Sequence, residues 1–326
     1  MNFRNMALCA AAILLGGAGD KMESFVEARG PSGPLKGTMV SPAATAPLVL
    51  IIPGSGPTDR DGNNPMGVKA STYRLLAESL AKQGIASVRI DKRGMFASAA
   101  AVPDGNSVTI EDYAADVEAW IASIRERTGS KCVWVAGHSE CGLVALAAAK
   151  SVPDICGLIL ISAPGRRMGD VMRAQLRANP ANAPVLDDAL SAIGKLEAGQ
   201  TVDVSSFHPA LQNLFAAPVQ KFLISLFSVD PADLLRRQTK PVLILQGETD
   251  LQVSAEDARR LAASLPTAKL ILLPKVNHVL KETPADDRAA NMAAYADPSL
   301  PLAPGVVEAI AEFVSSASKG SSPGTS

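Results

Sequence analysis

Ser139 stands in the stretch AGHSECG, positions 136 to 142, between two kinds of local pattern. Before it, Lys131 to Ala136 reads as a strand, and after it Cys141 to Leu146 opens an apolar helix. A serine on so sharp a strand-to-helix turn is held out beyond the sheet, where its hydroxyl can attack a carbonyl. The turn tolerates little bulk two residues to either side. Gly137 meets that demand; Cys141 occupies the other place, where glycine is usual, but cysteine is compact and apolar and Gly142 follows at once. The one literal Gly-x-Ser-x-Gly match, Gly320 to Gly324 around Ser322, lies in the Ser, Gly and Pro rich tail Ser318 to Ser326, which reads as disordered. With no strand before it and no helix after it, that match is set aside.

A serine hydroxyl needs a base to take its proton, and the base needs a third group to orient it. The chain has three histidines. His138 adjoins Ser139, where the turn sends its side chain away, so packing or pocket lining is its expected role. His208 falls in a later helical stretch. His278, in PKVNHVLKE after the last apolar strand, can be carried back over the strand ends and is the expected base. The preceding strand region, VLILQGETDLQV, supplies Asp250 as the orienting acid, with Glu248 as the second candidate. The chain order Ser139, Asp250, His278 belongs to one serine-hydrolase architecture and not to the other common ones. Attack on a carbonyl also needs donors for the oxyanion. Those expected are the backbone N–H groups of Glu140, next after the serine, and of Ser55 in LVLIIPGSGPTDRDG, with Gly56 competing for the second place. Asp59, Arg60 and Asp61 are expected to hold this loop by hydrogen bonds.

Near-continuous apolar runs recur at Leu48 to Ile52, Ala86 to Ile90, Val133 to Ala136, Gly157 to Ile161, Val242 to Leu245 and Leu270 to Leu273. Strands buried on both faces look like this. Helical patterns alternate with them at Thr72 to Gln83, Thr109 to Thr128, Cys141 to Ser151, Ser254 to Ser264 and Val306 to Ser318, with Thr109 and Asp112 able to cap the second. The fold class is therefore α/β: a mostly parallel central sheet with helices on both faces. Residues Ser24 to Val40 predict an edge hairpin. The alternation breaks at 165–238, which holds amphipathic helical patterns and no strand, so it is expected to be a helical cap inserted into a core of 20–164 and 239–317.

The chain has 326 residues, 47% hydrophobic, and its formal net charge of −1 gives no electrostatic footprint for nucleic acid or an anionic membrane surface. Met1 to Asp20 carries Arg4, then the apolar run Met6 to Leu15, then small residues, and resembles a signal peptide cleaved after Ala18 or Gly19. That run is too short to anchor in a bilayer. A periplasmic or secreted protein is expected. Without Cys9, the cysteines Cys132, Cys141 and Cys156 show no metal spacing; Cys132 and Cys156 start neighbouring strands, and whether they join is left open. No cofactor or metal is expected, and oligomeric state is not legible.

Taken together, PGSGPTDRDGN at 53–63, DKRG at 91–94, GHSECG at 137–142, QGETD at 246–250, NHVLK at 277–281 and YADPSLPL at 295–302 resemble the α/β-hydrolase superfamily, in its exported bacterial esterase and serine aminopeptidase-like branch. The resemblance implies a Ser-Asp-His esterase with a helical cap, no cofactor and a small-molecule ester substrate. Two positions depart from the pattern: Cys141 in the elbow, and Phe96 where such chains carry a small residue. An aminopeptidase would need a cap carboxylate for the substrate amine, with Asp187, Asp188 and Glu197 available. A non-catalytic ligand-binding protein on the same fold is the remaining alternative.

Overall fold

The structure is a computed structural model and describes residues 22–320. The signal-like segment and Ser322 lie outside the described residues. A hairpin of β1 (Met22–Ala28) and β2 (Leu35–Ser41) leads antiparallel into the sheet, as the sequence predicts. The chain then alternates: β3 (Leu48–Ile52), α1 (Thr72–Lys82), β4 (Ala86–Ile90), α2 (Ile110–Thr128), β5 (Val133–His138), α3 (Cys141–Ala148) and β6 (Ile155–Ile161). Five helices follow: α4 (Met168–Ala178), α5 (Leu186–Glu197), α6 (Pro209–Leu214), α7 (Gln220–Ser228) and α8 (Pro231–Arg236). The alternation resumes with β7 (Val242–Gly247), α9 (Ala255–Ser264), β8 (Lys269–Leu273), α10 (Arg288–Ala293) and α11 (Val306–Gly320).

The eight strands lie in the order β1-β2-β4-β3-β5-β6-β7-β8, and all pairs from β4 onward are parallel. Successive strand residues face opposite sides, so β3 sends Leu48, Leu50 and Ile52 into one core and Val49 and Ile51 into the other. The first core is closed by α2, α3 and α9 through Trp120, Leu143 and Leu261; the second by α1 and α11 through Leu76, Leu80, Ile310 and Val314. This two-sided burial is why these strands are runs of Val, Ile and Leu with no polar alternation. At the start of α2, Thr109 and Asp112 form the expected reciprocal cap.

Cys132, before β5, and Cys156, in β6, form a disulfide with Cα atoms 5.1 Å apart. One boundary is corrected. The last helix runs through Gly320, overlapping the first three residues read as disordered tail. Nothing between Val306 and Lys319 breaks a helix, since neither proline nor glycine intervenes.

Candidate active site

β5 ends at His138, and the chain reverses into α3 across Ser139 and Glu140. Ser139 takes φ 54°, in the left-handed region that a side chain disfavours. The turn is held by Ser139 N donating to Ile161 O at 2.8 Å and Gly142 N donating to Ser139 O at 2.9 Å. Its steric demand falls on two glycines. A Cβ on Gly137 would lie 2.2 Å from Cys141 O, and one on Gly142 would lie 2.5 Å from Ala163 Cβ. Position 141 thus enters the close approach through its carbonyl, the second glycine is required at Gly142, and the Cys141 side chain packs into the first core. Burial pushes its thiol up to about 12, with Lys92 opposing and Glu140 adding to the shift, so it stays a neutral packing group.

Asp250 sits on the turn after β7. Its Oδ1 accepts the N–H groups of Gln252 at 2.7 Å and Val253 at 2.9 Å, and its Oδ2 accepts from Gln246 Nε2 at 3.1 Å. His278, on the loop after β8, brings Nδ1 to 2.7 Å from the same Oδ2. Burial works against ionising Asp250, but the His278 charge and hydrogen bond and the two amides outweigh it, and its pKa lies below the usual carboxylate value. The carboxylate selects the His278 tautomer with the proton on Nδ1, leaving Nε2 as an acceptor. Ser139 and His278 line one cavity of about 90 Å³, together with Gly54, Ser55, His138 and Tyr295. The three residues read from chain order are thus gathered at the carboxyl ends of β5, β7 and β8.

A second set of contacts was not legible in the sequence. Gly54 N donates to Tyr73 Oη at 2.8 Å, Tyr73 Oη lies 2.8 Å from His138 Nδ1, and His138 Nε2 lies 2.9 Å from His278 O. The donors align in one direction only: the tyrosine hydroxyl gives its proton to Nδ1, and Nε2–H donates to the carbonyl. Burial, then the neighbouring His278, lowers the His138 pKa to about 3, which keeps the ring neutral as this chain requires. His138 therefore does more than pack; it ties the Gly54 loop to the His278 loop.

The loop after β3 is anchored as expected. Asp59 Oδ1 accepts from Asp61 N and Asn63 N, Arg60 pairs with buried Asp91 at 2.6 Å, and Asp61 pairs with Arg89 at 2.8 Å. Ser55 borders the Ser139 cavity, whereas Gly56 borders a different one. Among the described residues, the backbone N–H groups of Ser55 and Glu140 have no hydrogen-bond acceptor within the protein. Glu248 turns away towards Arg259 at 3.9 Å, and His208 caps α6, so neither joins the site. Phe96 takes φ 46° and is exposed, and it is Met95 that walls the neighbouring cavity.

That cavity, about 440 Å³, is lined by Gly56 and Glu140, the residues next after Ser55 and Ser139. Its walls include Met95 and Tyr113 from the core and Val219 and Phe222 from the segment between β6 and β7.

The sequence pattern of the alpha/beta hydrolase family matches residues 49–295. Esterase EstD of Thermotoga maritima is 27% identical in an alignment of 281 positions that covers 81% of this chain. The chain spans only 63% of the length of that relative. Among solved structures, Est1E from Butyrivibrio proteoclasticus superposes with a TM-score of 0.55 at 17% identity, covering 90% of this chain and 99% of that one. The Pyrococcus furiosus esterase Pf2001 gives 0.56 at 16% identity, covering 91% of each. At such identities the two structures show a shared fold.

Proposed function

The chain belongs to the alpha/beta hydrolase family, and on that premise we propose that it is a serine carboxylesterase for small to medium acyl or aryl esters. The observation that carries the reading is the hydrogen bond that His278 Nδ1–H donates to Asp250, set beside a serine on a strand-to-helix elbow in one cavity. Ser139 Oγ attacks the ester carbonyl carbon while His278 Nε2 takes its proton. Asp250, held anionic, faces the imidazolium so formed. The N–H groups of Ser55 and Glu140 receive the oxyanion. The intermediate collapses, the alkoxide leaves with the proton from His278, and Ser139 carries the acyl group. Water repeats the sequence and releases the acid.

The helices from 165 to 238 are read as a cap, since Val219 and Phe222 of this segment line the larger cavity. Export to the periplasm or beyond is the matching location, because a Cys132–Cys156 disulfide persists in an oxidising compartment. The peptidase reading loses its cap carboxylates: Asp187 and Asp188 are exposed, and Glu197 is paired with Arg173 at 2.7 Å. The test is hydrolysis of p-nitrophenyl esters of increasing acyl length, beside aminoacyl anilides, by wild type and Ser139→Ala. Ester turnover that the substitution abolishes supports the proposal; anilide turnover exceeding that of esters would replace it with the peptidase.

A further inference from the structure

An acidic and a basic side chain border the 440 Å³ cavity without forming an ion pair. Lys92 is 3% exposed; its Nζ donates to Gly54 O at 2.6 Å and lies 5.6 Å from the centre of the Tyr113 ring. That leaves two of its three N–H donors uncommitted. Glu140 is 4% exposed, and its enclosed Oε1 has no hydrogen-bond partner among the described residues. No ion pair links Lys92 with Glu140 among the described residues, although both face the same space. Natural proteins bury an unpartnered carboxylate rarely, because desolvation is not repaid, and such a group calls for an explanation. The rest of the wall is largely apolar, with Met95, Tyr113, Val219 and Phe222.

From this arrangement we propose that the cavity is the acyl subsite and that Glu140 and Lys92 select acyl chains bearing a hydroxyl group. The inference rests on the esterase reading above. A hydroxyl can donate to the Glu140 carboxylate and accept from the Lys92 ammonium, whereas an ammonium, a carboxylate or an alkyl chain satisfies at most one of them. An ammonium on the substrate is repelled by Lys92. A second carboxylate is repelled by ionised Glu140. A plain alkyl chain leaves both polar groups dry, and the apolar walls accommodate the remaining methylenes. Burial raises the Glu140 pKa, with Lys92 opposing; a protonated Glu140 still accepts from the hydroxyl, while rejection of a second carboxylate belongs to the ionised form alone.

The experiment compares p-nitrophenyl hexanoate with its alpha-, beta- and omega-hydroxy derivatives and its omega-amino derivative, on wild type, Glu140→Gln and Glu140→Met. A charge-assisted hydrogen bond supports a preference of about tenfold or more in kcat/KM, so at least one hydroxylated ester should exceed the parent by that factor. Met fills the space of Glu without its charge and leaves the backbone N–H in place. Glu140→Met should therefore reverse the ratio, favouring the parent, and Glu140→Gln should reduce it. A parallel fall on all esters would make Glu140 structural and overturn the inference, as would parent turnover with no hydroxyl preference or a preference for the amino ester. If no ester is turned over, the esterase reading fails. Calorimetric titration of Ser139→Ala with methyl hexanoate and its three hydroxy derivatives then decides the subsite alone: tighter binding of a hydroxylated ester upholds it, and equal binding refutes it.

Discussion

Replacing Tyr73 with Phe deletes one oxygen and should disturb two loops. Tyr73 is 3% exposed, and its hydroxyl accepts from Gly54 N and donates to His138 Nδ1, each at 2.8 Å. Burial holds this hydroxyl well above the usual phenol range, so it remains a donor at any working pH. Without it, a backbone N–H and an imidazole nitrogen are left unpaired in a dry setting. Each such group costs about 1–3 kcal/mol, so Tyr73→Phe should lower stability by about 2–6 kcal/mol. Catalysis should suffer separately. Gly54 precedes the Ser55 donor, and His138 supports the His278 carbonyl at 2.9 Å, so the oxyanion loop and the base both lose a brace. A misplacement of this kind lowers the rate once substrate is bound; kcat should fall about tenfold or more with KM little changed. Urea unfolding and steady-state hydrolysis of one p-nitrophenyl ester read the two effects. Stability within about 0.5 kcal/mol of wild type and kcat within about twofold would refute the idea that this chain of hydrogen bonds positions the site.

The same histidine sets an acid limit. With its folded pKa near 3 against an ordinary value of 6.5, the unfolded chain binds this proton first, so the contribution is complete above 6.5 and is lost progressively as pH falls towards 3. At pH about 4.5 the loss is about 2–3 kcal/mol, and the pH slope of unfolding should be shallower in His138→Gln than in wild type; an equal slope would contradict it. Gly137→Ala places a methyl 2.2 Å from Cys141 O, so the elbow must open; a thermal melt should show a loss of about 3 kcal/mol or more, with ester hydrolysis abolished. Peptide mapping without reductant should recover Cys132 linked to Cys156, and reduction should lower stability by about 3 kcal/mol for this 24-residue separation. Free thiols at both positions would overturn that pairing.

The strands were legible because burial on both faces writes them as apolar runs: Leu48–Ile52 and Ala86–Ile90 are strands over the very residues read. The proposed triad was legible because sequence order and strand context constrain it together, although the identity of position 141 argued against the elbow. The structure removes that objection by requiring the second glycine at Gly142. What stayed hidden depends on convergence across the fold. Tyr73 and His138 are 65 residues apart, and Lys92 and Glu140 border one cavity only because β4 and β5 flank β3. No periodicity encodes such meetings. Helix α10 was missed for a different reason, since six residues after a polar turn carry too little pattern to read. Between β6 and β7, buried Leu211, Phe215, Leu223 and Phe227 follow the amphipathic reading, but which of these helices line the cavity came only from packing.

The central claim is that His278, oriented by Asp250, activates Ser139. The direct measurement is the rate of covalent labelling by a fluorophosphonate, read by intact mass and by peptide mapping. One adduct should form on the Ser139 peptide in wild type, none in Ser139→Ala, and the rate should fall by about 10³-fold or more in His278→Ala and in Asp250→Asn. An adduct on another residue, or equal labelling rates in all the variants, would contradict the account.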